Sequence, residues 1–122
     1  HFQSKNSQAK LLTVVQGKIL DVVVDLRKNS KTFGKYFKII ISDNSDFSIF
    51  IPKGFAHGYL CLKKDNKLVY LLSDYWFKKY EKVLDFNDKI INLKIKNKKI
   101  ITSKRDKKGL SFEQFRKEIK SL

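Results

Sequence analysis

The chain contains 122 residues, which is enough for one domain with one hydrophobic core. Hydrophobic residues make up 42% of it and aromatic residues 13%, so the composition excludes a disordered chain. No apolar run is long enough to span a membrane, and the single cysteine, Cys61, cannot form a disulfide within the chain. We therefore expect a cytoplasmic protein with no signal peptide and no membrane partner.

The formal net charge of +15 raises the question of nucleic-acid binding. Only Arg27, Arg105 and Arg116 are arginines, whereas specific contacts with bases and phosphates favour the planar guanidinium group. The lysines are spread along the whole chain and are densest at 94–108. This distribution indicates a solvated basic surface, which also attracts anionic small ligands. We expect no nucleic-acid partner.

Short β-type segments separated by turn residues dominate the chain. They predict strands at 10–16, 18–27, 35–42, 46–51, 59–63 and 67–73. The first two are joined through Gly17 and are predicted to form a hairpin. Many short strands with close turns favour a β-sandwich or a barrel. Because there is no repeat and no low-complexity linker, the sequence predicts one domain over residues 1–122.

The strand predicted at 18–27 has two different faces. Leu20, Val22, Val24 and Leu26 share one face and are expected in the core. The other face mixes apolar residues with carboxylates and comprises Ile19, Asp21, Val23, Asp25 and Arg27. Either a solvent-facing strand or the wall of a ligand cavity explains that mixture.

Only the tail, at 111–122, has helical spacing. Phe112, Phe115 and Ile119 recur at intervals that place them on one face of a helix. Ser111 precedes them and is the residue type that caps helix N-termini. The sequence therefore predicts an all-β domain with a short C-terminal helix.

The most informative motif is the stretch at 51–59, which reads Ile-Pro-Lys-Gly-Phe-Ala-His-Gly-Tyr. It resembles the signature of the dTDP-4-dehydrorhamnose 3,5-epimerase family. Further blocks resemble that family in order and spacing, and they lie at 1–3, 8–11 with Gly17, 21–28, 30–34, 73–76 with Tyr70, and 103–106. The resemblance implies a cupin-like double-stranded β-helix, or jelly roll.

Some features depart from the family pattern. Lys31 stands in place of a proline, Trp76 in place of a second tyrosine, and Ile95-Lys96 in place of a Trp-Pro pair. Members of the family also carry a segment upstream of the block that here begins at His1. That segment includes strands that help to form a dimer and contact the nucleotide.

The resemblance implies three catalytic residues. His1 matches the base, and a histidine suits that role because it gains and loses a proton near neutral pH. Asp106 matches the carboxylate that orients this imidazole, and Tyr70 matches the general acid on the opposite face of the sugar. Without the resemblance, these residues read as a terminal residue, a surface carboxylate and a half-buried strand tyrosine.

Three further residues match positions in the substrate pocket. Lys10 matches a lysine near the C4 oxygen of the sugar, where an ammonium group stabilises an enolate. His57 matches a histidine that lines the sugar pocket, and Asp21 is a further pocket candidate. The structural alternatives are a solvated lysine for Lys10 and a solvent-facing strand residue for Asp21.

Metal and redox cofactors are not expected. Pro52, Gly54 and His57 have the spacing of half a cupin metal motif, but the chain contains only two histidines, so a site with three histidine ligands is excluded. Cys61 lies in an apolar stretch that favours a structural thiol.

The resemblance thus implies a cofactor-independent epimerase that inverts C3 and C5 of a dTDP-4-keto-6-deoxyhexose in dTDP-rhamnose biosynthesis. It also implies a nucleotide-sugar substrate and a homodimer. Two alternatives stay open: a single-centre epimerase or ketoisomerase acting on a related nucleotide sugar, and a non-catalytic sugar-binding cupin.

Overall fold

The computed structural model describes residues 1–95 and 99–119. The strands of this part of the chain are β1 Phe2–Gln3, β2 Lys10–Gln16, β3 Lys18–Asp25, β4 Tyr36–Ser42, β5 Ile49–Ile51, β6 Phe55–Cys61, β7 Lys67–Leu72 and β8 Glu81–Lys82. A helix, α1, spans Phe112–Glu118, and single 3-10 turns occupy Lys78–Tyr80 and Asp106–Lys108. Each of the six predicted strands is present, in the predicted order and with most ends shifted, whereas β1 and β8 were not predicted.

The main strands form two antiparallel sheets of three strands each. One sheet has the order β5-β2-β7 and the other the order β4-β3-β6, while β1 and β8 form a separate two-stranded ladder. Leu12 and Val14 of the first sheet pack with Ile19 and Ile41 of the second in one buried cluster. The predicted sandwich architecture is confirmed.

The predicted hairpin between β2 and β3 is wrong. β2 pairs with β5 and β7, whereas β3 pairs with β4 and β6, so the chain passes from one sheet to the other at Gly17. A single residue between the strands is shorter than the loops that close β-hairpins. Gly17 has a φ of +91°, which glycine adopts without strain, and its amide donates to Asp43 Oδ2.

Both faces of β3 are buried, so the solvent-facing alternative for this strand is wrong. Ile19, Asp21, Val23 and Asp25 point into the sandwich and are at most 9% exposed. The opposite face carries Val22, Val24 and Leu26, as predicted for the core, with Leu20 partly buried beside them. A strand with both faces covered holds any carboxyl group on it away from bulk water.

Helix α1 and the stretch from Leu84 to Leu93 cover the outer face of the sheet β4-β3-β6. Phe112 and Phe115 are buried there, together with Leu84, Ile91 and Leu93. Ser111 caps the helix as predicted, because its hydroxyl accepts from Gln114 N while the Gln114 side chain accepts from Ser111 N. The end of the predicted helix, at 120–122, lies outside the described residues.

The turn after β3 is organised by Asp25. Its carboxylate accepts hydrogen bonds from Arg27 Nε, Arg27 Nη2, Ser30 Oγ and Thr32 Oγ1, at 2.6–2.9 Å. Burial raises the pKa of Asp25, but these hydrogen bonds outweigh it and hold the pKa well below its ordinary value. Asp25 therefore stays ionised and fixes the turn that leads into β4.

Candidate active site

His1 lies beside His57 because their backbones are hydrogen-bonded to each other. The backbone nitrogen of His1 donates to the carbonyl oxygen of His57 at 2.8 Å, and the His57 amide donates to the carbonyl oxygen of His1 at 3.0 Å. This pairing continues into the β1–β8 ladder, in which Gln3 lies opposite Glu81. Residues that are 56 positions apart in the chain thus meet at one end of the sandwich.

The imidazole of His1 lies between two carboxylates. Nε2 is 2.6 Å from Asp106 Oδ1, and Nδ1 is 3.0 Å from Glu81 Oε1. Asp106 Oδ2 accepts from Ser103 Oγ at 2.6 Å, and Glu81 Oε2 accepts from Arg105 Nη1 at 2.8 Å. Burial raises the pKa of Asp106, but hydrogen bonds from Ser103 and His1 give a net lowering, so Asp106 stays ionised at neutral pH.

A second histidine–carboxylate pair lies within the sandwich. His57 Nε2 is 2.7 Å from Asp21 Oδ2, and both side chains are at most 4% exposed. Asp21 Oδ1 is buried and has no hydrogen-bond partner among residues 1–95 and 99–119. Asp21 thus contacts His57 and is not among the cavity-lining residues, so the structure places it behind the pocket.

Two tyrosines face His57. Tyr70 on β7 and Tyr59 on β6 have ring centroids 6.0 and 6.4 Å from the His57 ring. Burial raises the pKa of Tyr70 strongly, and its contacts with Tyr59 and the charge of Asp21 raise it further. Tyr70 is therefore a protonated phenol at neutral pH, which is the form that a general acid requires.

Lys10 begins β2 and lies close to the acidic groups of the site. Burial lowers the pKa of its ammonium group, while the nearby charges of Asp21 and Glu81 oppose that effect. Lys10 is opposite Ile51 and Leu72 in the sheet, which fixes its position at the end of β2. The structure thus holds a cation next to the two histidine–carboxylate pairs.

A cavity of about 730 Å³ runs along β6 and is lined by most of these groups. Ligand pockets in proteins commonly have about 300–1,000 Å³, so this cavity can hold a sugar ring. Five of the six site residues that the sequence singled out line it, and they are His1, Lys10, His57, Tyr70 and Asp106. Apolar side chains, among them Val22, Val24, Leu84 and Leu93, supply much of the remaining wall.

Tyr59 and Glu81 belong to this site but were not predicted. Tyr59 lines the cavity two residues after His57, and the period of two in a β-strand is the signal that could have placed both on one face. Glu81 lies in a charged stretch with no distinguishing pattern, so nothing in the local sequence marks it.

Two further findings concern metal ligands and membrane-spanning helices in the described residues. In residues 1–95 and 99–119, no group of three or more histidine, cysteine, aspartate or glutamate side chains is arranged to hold a metal ion. The same part of the chain contains no helix that is both long and apolar enough to cross a bilayer.

Comparison with known protein families gives a match that covers the candidate site. The sequence model described as dTDP-4-dehydrorhamnose 3,5-epimerase matches residues 1–114, and this range includes every residue of the site. The chain belongs to this family. Of the departures from the family pattern, Lys96 lies outside the described residues.

Individual members of the epimerase family match over part of their length. The dTDP-4-dehydrorhamnose 3,5-epimerase of Neisseria gonorrhoeae is 41% identical over 93 residues, which are 76% of this chain and 28% of that protein. The Shigella flexneri enzyme of the same name is 34% identical over 113 residues, with coverage of 92% and 62%. The chain thus spans about a quarter to two thirds of the curated relatives it matches.

The fold agrees with a solved structure of the same family. The crystal structure of dTDP-6-deoxy-D-glucose-3,5-epimerase from Legionella pneumophila, in complex with dTDP-4-keto-L-rhamnose, matches with a TM-score of 0.91 and 29% identity. The match covers 97% of this chain and 63% of that chain. The predicted cupin-type jelly roll with a C-terminal helix is confirmed.

Proposed function

We propose that this chain carries the catalytic centre of a dTDP-4-dehydrorhamnose 3,5-epimerase, acting on a dTDP-4-keto-6-deoxyhexose in dTDP-rhamnose biosynthesis. The observation that carries the proposal is the cavity that His1, Asp106, Lys10 and Tyr70 line together. A base held by a carboxylate, a cation and a protonated phenol are the groups that epimerisation beside a ketone requires. The names of the Neisseria and Shigella relatives support the same reaction.

The proposed reaction exchanges protons at carbons beside the C4 ketone. His1 removes a proton from C3 or C5, the C–H electron pair forms an enolate, and the ammonium group of Lys10 stabilises the oxyanion at C4. Tyr70 then donates its phenolic proton to the opposite face of the same carbon, which inverts the centre. One proton leaves and one returns, so the sugar undergoes no net oxidation or reduction. The proposed reaction therefore needs no redox cofactor.

His57 and Asp21 have a supporting part in this proposal. His57 lines the cavity beside Tyr70 and presents its ring to the sugar, while Asp21 holds Nε2 of that ring at 2.7 Å. Asp21 thus contributes to substrate binding through the orientation of His57. In this proposal Asp21 acts through His57 and does not contact the sugar directly.

The proposal is tested by incubating the protein with dTDP-4-keto-6-deoxyglucose in deuterated water and following each sugar position by NMR. We expect deuterium at C3 and C5 together with inverted product. Tyr70→Phe and His1→Asn should each lower the rate of product formation by about 100-fold or more, because each removes one proton-transfer group. Tyr36→Phe is the matched control, since Tyr36 lies on β4 and is not among the cavity-lining residues.

Each outcome of this experiment points to one function. Deuterium at a single carbon would indicate a single-centre epimerase instead. Binding of the nucleotide sugar without any exchange in the unaltered protein would contradict the enzymatic proposal and indicate a sugar-binding cupin.

The pH dependence of the same reaction tests the role of Tyr70. Burial raises the pKa of this phenol, so it should remain protonated where an ordinary tyrosine ionises, near pH 10. We expect no loss of turnover from ionisation of Tyr70 as the pH rises from 8 to about 10. A decline in turnover over that interval that the unaltered protein and Tyr36→Phe both show, and that Tyr70→Phe does not show, would identify Tyr70 as its source and contradict the proposal.

We also propose that the protein forms a homodimer through the outer face of the sheet β5-β2-β7. Leu11 lies opposite Phe50 on one side and Leu71 on the other, and all three side chains are exposed. A contiguous apolar patch on a sheet is typical of an interface between subunits. Sedimentation equilibrium should show a dimer that Leu71→Lys dissociates and Ile90→Lys, at an exposed position elsewhere, does not. A monomeric unaltered protein would contradict this proposal.

A further inference from the structure

Two tyrosines from different sheets line one cavity and flank one histidine. Tyr59 lies on β6, an edge strand of the sheet β4-β3-β6, and Tyr70 lies on β7, an edge strand of the sheet β5-β2-β7. Their ring centroids are 6.4 and 6.0 Å from the His57 ring, and both side chains line the large cavity. A second phenol therefore lies beside the proposed general acid.

The two phenols also interact with each other. Burial raises the pKa of Tyr70, and the charge of Tyr59 and a side-chain hydrogen bond with Tyr59 raise it further. A phenolic hydroxyl group can donate one hydrogen bond and also accept one. Two such groups in contact can therefore pass a proton from one oxygen to the other.

Tyr59 and Tyr70 differ in their access to water. Tyr59 is 47% exposed, whereas Tyr70 is partly buried against the apolar cluster inside the sandwich, which includes Leu12 and Ile19. A sugar in the cavity would cover the side of Tyr70 that faces it. During a reaction, the exposed phenol of Tyr59 is thus the route by which Tyr70 can reach the solvent.

The proposed reaction requires that Tyr70 regain a proton. Once Tyr70 has protonated the sugar carbon, its oxygen is a phenolate, and His1 holds the proton that it removed. Inversion of the other carbon needs a protonated Tyr70 and a neutral His1 again. Because burial disfavours the phenolate form of Tyr70, this oxygen readily accepts a proton from a neighbouring hydroxyl group.

We propose that Tyr59 is a positioning residue that holds the hydroxyl group of Tyr70 and returns a proton to it from solvent after each inversion. The inference rests on the proposed function and adds a residue to it. In the returning step, the O–H bond of Tyr59 breaks and its proton bonds to the Tyr70 oxygen. The Tyr59 oxygen then takes a proton from water, and His1 releases its proton to water. The protons therefore balance over the cycle, and no oxidant or reductant is needed.

The exchange of the Tyr70 hydroxyl proton with solvent can be measured without substrate. The chain contains five tyrosines, so protein labelled at tyrosine ¹³Cζ gives one signal for each, and Tyr70→Phe assigns the signal of Tyr70. In an equal mixture of H₂O and D₂O, each signal splits when hydroxyl exchange is slow and merges when it is fast. Line shapes recorded over a range of temperatures give the exchange rate.

We expect hydroxyl exchange at Tyr70 to slow by about 10-fold or more in Tyr59→Phe, because the route for the proton is lost. A Tyr59 that merely covers the Tyr70 hydroxyl predicts the opposite sign, since removing a cover speeds exchange. An unchanged or faster exchange rate in Tyr59→Phe would therefore overturn the inference.

Steady-state turnover gives a second test of the same step. Tyr59→Phe should lower kcat by about 10-fold with a small change in KM. Added imidazole, a small proton donor, should restore part of that loss by supplying protons to Tyr70 directly. A loss of kcat that imidazole leaves unchanged would indicate a purely structural role for Tyr59 and contradict the inference.

Tyr36→Phe is the matched control, because it removes the same hydroxyl group from β4, at a residue that is not among those lining the cavity. It should change neither kcat nor the exchange at Tyr70. Thermal unfolding of each variant reports any loss of structure, and Tyr59→Leu supplies a second reading if Tyr59→Phe does not fold. If the unaltered protein exchanges no sugar hydrogens, the proposed function fails, while the hydroxyl exchange still decides the role of Tyr59.

Discussion

Asp21 and Asp25 lie on the same face of the same strand, yet the structure uses them differently. Asp25 is surrounded by donors from Arg27, Ser30 and Thr32, all within seven residues of it. Asp21 contacts His57, 36 residues away, and one of its oxygens has no partner among the described residues. A carboxylate with a full set of local donors fixes the chain, whereas one with an incomplete, distant set is available to orient a reactive side chain.

The same contrast extends to the His1 site. His1 directly precedes β1, Glu81 lies in β8 and Asp106 lies in a 3-10 turn, so the three residues are distant in the chain and close in space. His1 and Asp106 border the large cavity, whereas the Asp25 carboxylate is closed in by Arg27, Ser30 and Thr32. The comparison therefore predicts that substitutions at Asp25 act on stability and substitutions at Asp21 act on activity.

The largest effect on stability is expected for Asp25→Asn. The amide cannot accept the same set of charge-assisted hydrogen bonds, so we expect the free energy of unfolding to fall by about 2 kcal/mol. Urea unfolding followed by circular dichroism measures this. Turnover per folded molecule should be unchanged, because Asp25 is not among the cavity-lining residues. A loss of turnover without a loss of stability would contradict the distinction between the two carboxylates.

Lowering the pH should remove the stabilisation that the ionised Asp25 carboxylate gives to the unaltered protein. The pKa of Asp25 is lowered in the folded state, so the unfolded chain binds a proton at Asp25 more readily. The contribution is fully present above the unfolded pKa, about 3.9, and is lost as the pH falls through the folded pKa. Unfolding free energies measured from pH 6 downwards should thus converge between the unaltered protein and Asp25→Asn. Parallel curves down to the lowest pH would exclude Asp25 as the source.

Asp21→Asn should lower activity and leave stability nearly unchanged, which is the reverse of the result expected for Asp25→Asn. We expect turnover to fall about 10-fold, because His57 loses the carboxyl group that orients it. The free energy of unfolding should change by less than about 1 kcal/mol, since a buried carboxyl oxygen without a partner contributes little net stability. Steady-state kinetics and urea unfolding on the same preparation measure both quantities. If Asp21→Asn destabilised the protein as much as Asp25→Asn, the proposed difference between the two carboxylates would be wrong.

The smallest expected effect is that of Thr32→Val. This change removes one donor to Asp25 Oδ2 and leaves Arg27 and Ser30 in place. We expect a loss of about 1 kcal/mol in the free energy of unfolding and no change in turnover. Thr13→Val is the matched control, because the Thr13 hydroxyl is hydrogen-bonded to the exposed hydroxyl of Ser48, away from Asp25. Equal losses in both variants would show that the effect does not arise at Asp25.

The sequence alone determined the order of the six longer strands, the capped helix and five of the residues that line the cavity. Period-two alternation and turn residues are local signals, and so is the capping motif at Ser111, so they can be read without knowing the fold. The motif at 51–59 and the blocks that accompany it identified the family because they preserve residue types at fixed spacing.

Only the tertiary structure decided which strands pair and which carboxylates meet the histidines. The passage from β2 to β3 changes sheets at Gly17, and no local pattern distinguishes that corner from a hairpin. Glu81 reaches His1 only because β8 pairs with β1, and Asp21 is held behind His57 because both faces of β3 are covered. Contacts between residues distant in sequence depend on the packing of whole elements, and the identities of neighbouring residues do not encode them.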